Sequence, residues 1–483
     1  MQLLTIQRIL GILLSLFSIT MLPAAAVSFY YDDGSSQAFI SAFILLLVTG
    51  LIFWFPARKH QKELKIRDGF IVVVMFWIAL GISGSLPFFL TEVPEMSFTD
   101  AVFESMSGLT TTGATVLTGL DSLPEAVLFY RQFLQWLGGM GIVVLAVAIL
   151  PLLGVGGMQL YRAEMPGPMK DAKLTPRITE TAKALWYIYL SLTVGFAVAF
   201  YLAGMSWFDA IGHSFSTVAI GGFSTHDASI GYFNSTTIEM ITVVFMLLAG
   251  MNFALHFLAW RHRSIKHYWA DAELRAYVWI LAVISMVVSG YLYFTHTYQD
   301  PWTAIHQGIF QTVSIGTTAG YTTADYSSWP GFLPILLLMA SYIGGCAGST
   351  AGGMKVIRVM LLFKQGYREI LRLIHPNAVF AVKLNNKALP TKVVAAVWGF
   401  LAMYVFCFSI MHLFLMATGL DIVTSFSAVT ACLNNLGPGL GEVGANFSSI
   451  NSPAKWVLCI AMLLGRLEIF TLLVVLTPAF WRR

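Results

Sequence analysis

The stretch most capable of chemistry is residues 312–323, TVSIGTTAGYTT, centred on Gly320. It is small and hydroxyl-rich, and it lies between apolar segments long enough to cross a bilayer. A cation that sheds its water needs a shell of oxygens, and backbone carbonyls supply one where the chain runs extended. Glycine permits the left-handed angles that such a path demands. Three more stretches have the same character: TTTGATVLTG around Gly113, VAIGGFSTHD around Gly222 and LNNLGPGLGE around Gly437. One such loop is a weak signal, because Gly/Thr-rich loops are common. Four are a strong one.

Each loop needs an element to aim it. The segments FTDAVFESMSGLT, WFDAIGHSFSTVA, DPWTAIHQGIFQTVS and LDIVTSFSAVTAC precede the four loops, with Asp100, Asp209, Asp300 and Asp421 near their starts. A carboxylate there caps a helix and suits its dipole. These segments are too short to span a membrane, so they read as half-helices dipping into it. Roughly 24–28 residues after each loop glycine another glycine opens or interrupts a long apolar run: Gly138, Gly250, Gly344 and Gly465. Four copies of span, half-helix, glycine loop and span make a ring of carbonyl-donating loops within one chain. That is an ion pore.

Composition sets the class independently. Of 483 residues, 57% are hydrophobic and 11% charged, with a formal charge of +4, and the mean hydropathy is +0.75. This marks an all-α polytopic membrane protein. The cysteines (Cys346, Cys407, Cys432, Cys459) stand singly in apolar segments, without metal spacing, and read as buried small hydrophobes. No cleavable signal pattern opens the chain; apolar runs at 9–27 and 38–55 predict an extra two-helix hairpin. Further spans are expected at 69–91, 128–152, 183–204, 237–260, 275–297, 332–364, 391–417 and 454–480. The chain then divides into the hairpin (1–67) and four pore repeats: 68–161, 162–262, 263–374 with an interrupted span, and 375–483.

Orientation follows from lysine and arginine. Of 28, all but Arg131, Lys455 and Arg466 fall at Arg8, in 57–67, 162–183, 261–275 and 355–392, or in the tail. All these lie on one predicted side, which is therefore cytoplasmic, as are both termini. The glycine loops face outward with Asp121, Glu125, Asp227, Asp325 and Glu442. These acids either concentrate cations at the mouth or simply collect where basic residues are excluded.

The motifs TTTGATV, AIGGFSTHD, TTAGYTTAD, NNLGPGLGEVG, YIGGCAGSTAGGMK and GRLEIFTLLVVLTPAFWR carry a resemblance across nearly the whole chain. It resembles the Trk/Ktr/HKT superfamily of cation transporters, and within it the bacterial Trk-system potassium-uptake subunits of TrkH/TrkG type. The resemblance implies a potassium filter at Thr111, Thr112 and Gly113; Ile220, Gly221 and Gly222; Thr318, Ala319 and Gly320; and Asn435, Leu436 and Gly437. In related plant carriers a serine at the first filter glycine goes with sodium transport; all four glycines here favour potassium. No copy reads TVGYG, and the fourth carries Pro438, which implies looser selectivity than in a fourfold-symmetric channel.

Two further elements carry over. GGCAGSTAGG, residues 344–353, makes a poor continuous helix, and irregular backbone is tolerated at membrane depth where it lines a water-filled cavity. In the family this is an intramembrane gating loop, here with Gly344, Gly345, Gly348, Gly352 and Gly353; the alternative is a small-residue packing face. Arg466, far from either end of the last expected span, is placed by the family in the permeation path near that loop. An intramembrane arginine must face protein or water. A structural ion pair with Glu468 is the alternative, although residues two apart on a helix do not face each other.

An enzyme is not expected: there is no HExxH, no metal-spaced cluster, and AGST at 347–350 is a weak nucleophile signal. The stronger rival to a gated, channel-like permease is a potassium symporter coupled to H⁺ or Na⁺. No P-loop or dinucleotide fingerprint is present, so no cofactor is expected on this chain, with K⁺ as the permeant ion and no nucleic-acid partner. The resemblance implies a homodimer in the bacterial inner membrane and a cytosolic TrkA-type regulatory subunit that binds NAD or ATP/ADP. The basic segments 162–183 and 355–392 suit its docking, though the positive-inside rule alone accounts for them.

Overall fold

The computed structural model describes residues 2–60, 64–149, 178–385 and 387–482. Most of the basic 162–183 segment lies outside them. The described chain is almost entirely helical, with one short β-hairpin pairing Lys383 with Ala388 and Leu384 with Lys387.

Among the described residues six helices are long and apolar enough to cross a membrane: Leu3–Tyr31, Ser36–Ala57, Arg67–Leu90, Lys183–Leu202, Ala272–Phe294 and Thr391–Ala417. The spans expected at 237–260 and 454–480 are not continuous. The first breaks between Thr236–Ala249 and Phe253–His262, bent by 91°, and the second between Ser452–Arg466 and Phe470–Leu476, bent by 116°. The helix Glu125–Ile149 kinks at Gly141, with φ 52°. Leu333–Ile343 ends at Gly344 and the chain resumes as a helix only at Val356–Ile374. Hydropathy averaged over a span does not register such breaks, because each is short or rich in small residues and is flanked by long apolar runs.

Between the spans stand four half-helices, Phe98–Leu109, Trp207–Val218, Pro301–Gly316 and Ile422–Leu433. Asp300 and Asp421 cap theirs, accepting from Thr303 N at 3.0 Å and from Val423 N and Thr424 N at 2.9 and 3.0 Å. Asp100 and Asp209 do not. Ser97 and Ser206 are the caps there, accepting from Asp100 N and Asp209 N at 3.2 and 3.0 Å, and their hydroxyls bond back to those carboxylates at 2.7 Å. The reciprocal arrangement satisfies the helix start and places acid in its first turn. Lys455 completes the first site, 2.7 Å from Asp100.

The first half-helix is tied to its following span by a fully buried ion pair. Arg131 Nε meets Glu104 Oε1 at 2.7 Å, with the side chains 1% and 0% exposed. Both terminal nitrogens of the guanidinium are used as well. Arg131 donates to Ser224 O at 3.1 Å and to Thr115 Oγ1 at 3.0 Å, while Glu104 accepts from Val116 N at 3.0 Å. The guanidinium lies over Phe223, 4.3 Å from the ring centroid. A buried pair is tolerated only with this degree of satisfaction, and breaking it strands a charge. Arg131→Ala is therefore expected to destabilise the protein by about 3–5 kcal/mol, read as a lowered thermal midpoint in detergent. A loss within about 1 kcal/mol, as for an exposed pair, would refute this role.

Candidate functional site

All four half-helices end in the same backbone path. The N–H groups of Thr112, Gly221, Ala319 and Leu436 reach back to the carbonyls of Ser107, Ser216, Ser314 and Ala431 at 2.9, 2.8, 2.8 and 2.8 Å. Thr111, Ile220, Thr318 and Asn435, one position earlier, take φ of 55°, 52°, 67° and 53°. Left-handed backbone is uncommon for β-branched residues and persists only where the surroundings over-determine it. Gly113, Gly222, Gly320 and Gly437 then take φ of 83°, 79°, 79° and 98°. The chain curls shut at the helix end and is thrown outward again within three residues.

The four loops close a ring in chain order. A Cβ placed on Gly113 would come within 3.0 Å of Gly221 O, one on Gly222 within 3.0 Å of Ala319 O, one on Gly320 within 3.0 Å of Leu436 O, and one on Gly437 within 3.0 Å of Thr112 O. Real Cβ atoms do not come so close to a carbonyl oxygen. Each loop therefore presses a carbonyl against the bare Cα of the loop before it. The twelve residues singled out from sequence are thus brought together. Of the carbonyls of Thr111, Thr112, Ile220, Gly221, Thr318, Ala319, Asn435 and Leu436, Gly221 O accepts from Gln135 Nε2 at 2.7 Å. Among the described residues the other seven accept no hydrogen bond. Buried carbonyls without partners are rare in folded proteins. The carbonyl ends of four helix dipoles converge behind them.

Side chains brace the ring from outside. Asn435 Nδ2 donates to Thr112 Oγ1 and Met462 O, both at 3.0 Å, joining the fourth loop to the first. The Tyr321 hydroxyl meets Thr217 Oγ1 at 3.1 Å, joining the third to the second. Tyr326 donates to Gly439 O at 2.9 Å, joining the third to the fourth. Beyond the second loop His226 lies 2.5 Å from Asp121 and 3.4 Å from Asp209, stacked on Tyr232. Burial opposes its charged form, but the hydrogen bonds to Asp209 and Asp121 outweigh this and hold the imidazole above the ordinary histidine range. Asp121, Asp227, Asp325 and Glu442 are exposed.

Beneath the ring lies the glycine-dense loop. Gly344, Gly348 and Gly353 take φ of 67°, 77° and 71°. Gly352 N donates to Thr318 Oγ1 at 2.7 Å and Gly353 N to Asn434 O at 3.0 Å. Thr350 Oγ1 donates to Val218 O at 2.9 Å, and Cys346 N to Gly250 O at 2.9 Å. Gly345 adjoins Gly250 O as well. The loop therefore hangs from the ends of the second, third and fourth half-helices.

Arg466 closes the remaining quarter. It stands not within a continuous span but at the end of its helix, where the chain turns. Its guanidinium donates to Gly138 O, to Gly139 O at 3.1 Å, and to Thr111 Oγ1 at 3.5 Å, reaching the first loop. Glu468 is not its partner; that carboxylate pairs with Arg358, on the helix after the glycine-dense loop. Sequence reasoning missed the Arg131–Glu104 pair, the Gln135 brace and the Arg358–Glu468 link. Two of these carried a signal: Arg131 and Glu468 are charges within apolar runs, and each calls for a partner.

The TrkH family model, described as a cation transport protein, matches residues 35–482. The Trk system potassium uptake protein TrkH of Vibrio parahaemolyticus is 61% identical over the full length of both chains. That of Escherichia coli K12 is 57% identical over 99% of each, and the TrkG protein of the same strain is 42% identical over 99% of this chain and 98% of its own. A crystal structure of the potassium transporter TrkH from Vibrio parahaemolyticus superposes with a TM-score of 0.91 at 58% identity, covering both chains in full. These proteins are transporters, not enzymes. The chain belongs to the TrkH family of cation transport proteins.

Proposed function

We propose that this chain is the membrane-embedded, multi-pass subunit of a bacterial potassium-uptake system, passing K⁺ inward through a gated, channel-like pore. The observation that carries the reading is the ring: four left-handed glycines, each seated against the next loop's carbonyl, with seven carbonyls left for a dehydrated cation. Oxygen number and field in such a cage favour K⁺. Gly221 O, shared with Gln135, contributes least. The loop at 344–353 is the gate, obstructing the path directly beneath the ring. Arg466 adds a fixed positive charge at the same depth, opposing the ion where the dielectric is low.

The relatives bear the name of potassium uptake proteins of a Trk system, which supports partners. We assign a homodimer in the inner membrane, termini cytoplasmic, regulated by a cytosolic nucleotide-binding subunit docked on the basic inner face. Coupling to H⁺ is the second reading. It is favoured by Glu239 and His306, which lie 3.1 Å apart at 8% and 7% exposure between the second and third repeats. Uptake of ⁸⁶Rb⁺ into proteoliposomes, with and without a pH gradient, separates the two. Flux set by the Rb⁺ gradient alone supports the pore.

Gly113→Ser is expected to force the first and second loops apart and to lower the K⁺/Na⁺ permeability ratio; an unchanged ratio in folded protein removes Gly113 from the filter. Shortening the 344–353 loop by a few residues should raise basal flux, and wild-type flux from a folded variant would make the loop a packing element instead. Arg466→Ala should raise flux per folded molecule, with Arg466→Lys intermediate because it keeps the charge but loses the planar fork. Lower thermal stability without a gain in flux would confine Arg466 to structure.

A further inference from the structure

Most anchors of the 344–355 loop are backbone carbonyls or hydroxyls of the repeats around it. One is different. Glu273, in the first turn of the span Ala272–Phe294 and 8% exposed, aims its carboxylate at the loop from the cytoplasmic end. A single oxygen, Oε1, accepts from Ala347 N at 2.7 Å and from Ile357 N at 3.2 Å. Those two nitrogens are ten residues apart, on the descending and returning limbs. Among the described residues no other carboxylate bonds to 344–357, and Asp271 beside it is occupied as the helix cap, accepting from Leu274 N at 2.8 Å.

The returning limb needs such a hold. Lys355 takes a φ of 77°, a strained angle for a non-glycine residue. Its ammonium is turned back onto Ala351 O, inside the loop itself. The cross-neck bond from Val356 N to Gly345 O, at 3.0 Å, lies one step from the carboxylate. Glu273 therefore sits beside a bond that crosses the neck of the loop, two residues from the strained Lys355.

We infer that Glu273 is a positioning residue for this loop, a latch whose one oxygen joins both limbs and holds the loop beneath the ring. The inference rests on the reading of the loop as an obstruction. The loop cannot leave the path as a unit without parting the two limbs or withdrawing both from the carboxylate. Either movement breaks at least one of the two hydrogen bonds to that oxygen, which the obstructed state makes, so losing the acceptor shifts the balance toward the open one.

The test uses the full chain in proteoliposomes, reading ⁸⁶Rb⁺ flux per folded molecule for Glu273→Ala, for Glu273→Met, which keeps the packing volume, and for Glu273→Gln. Ala and Met are expected to raise basal flux about tenfold, the effect of one such bond lost from one state. Gln keeps an acceptor oxygen and should stay near wild type, a rescue that a purely packing role would not produce. In the loop-shortened protein Glu273→Met should add nothing further. Wild-type flux from a folded Glu273→Met, while loop shortening alone raises flux, overturns the latch and leaves the gate standing. No rise on shortening the loop overturns both.

Discussion

A carbonyl oxygen resting on a bare α-carbon is the contact on which this molecule depends. It occurs four times, at Gly113, Gly222, Gly320 and Gly437, and the four together close a circle. Nothing larger than hydrogen fits at those positions, and the chain must be left-handed there, so glycine is required twice over. The half-helices, their serine or aspartate caps and their shared terminal turns all serve to bring four short loops to one axis. The spans supply the frame in which that is possible, since irregular backbone survives at this depth only when enclosed by protein or facing a wet cavity.

Holding carbonyls without partners in a bilayer demands rigid surroundings, and the surroundings are polar. Arg131 and Glu104 behind the first loop, Gln135 behind the second, and Asn435 between the fourth and first form a hydrogen-bonded collar. Partly satisfied networks of this kind destabilise a core, whereas fully satisfied ones fix a single arrangement. Here the guanidinium of Arg131 is used from Nε to both terminal nitrogens. The inner side is organised by charge as well. Arg358 and Glu468 join the helix after the glycine-dense loop to the turn that carries Arg466, so the third and fourth repeats meet through an ion pair.

The membrane class, the half-helices and the position of each loop glycine are legible in the sequence, because composition, capping residues and glycine spacing are local signals. The breaks in the following spans are less so. Gly250 and Gly465 stand out as glycines, yet nothing local announces the 91° and 116° turns beside them: Gly250 lies against Tyr277 and Gly465 against Leu433 O. Cap identity at the first two half-helices went to serine because Ser97 and Ser206 stand at the N-cap position, with the aspartates three residues on, inside the first turn. The polar collar was invisible for a plain reason: Gln135 and Arg131 lie in one repeat and grip the loop of the next, and no pattern within either segment announces the other.

Because all four walls belong to one polypeptide, they need not be alike, and they are not. The second wall has its inner carbonyl fastened to Gln135, while its counterparts at Thr112, Ala319 and Leu436 are held only through their own backbone. One carbonyl of the cage is tethered by a side chain and its counterparts are not. An assembly of four identical subunits has no means of making that distinction, since any change is imposed on every wall at once. Here a single codon alters a single wall, so the cage can be retuned in quarters.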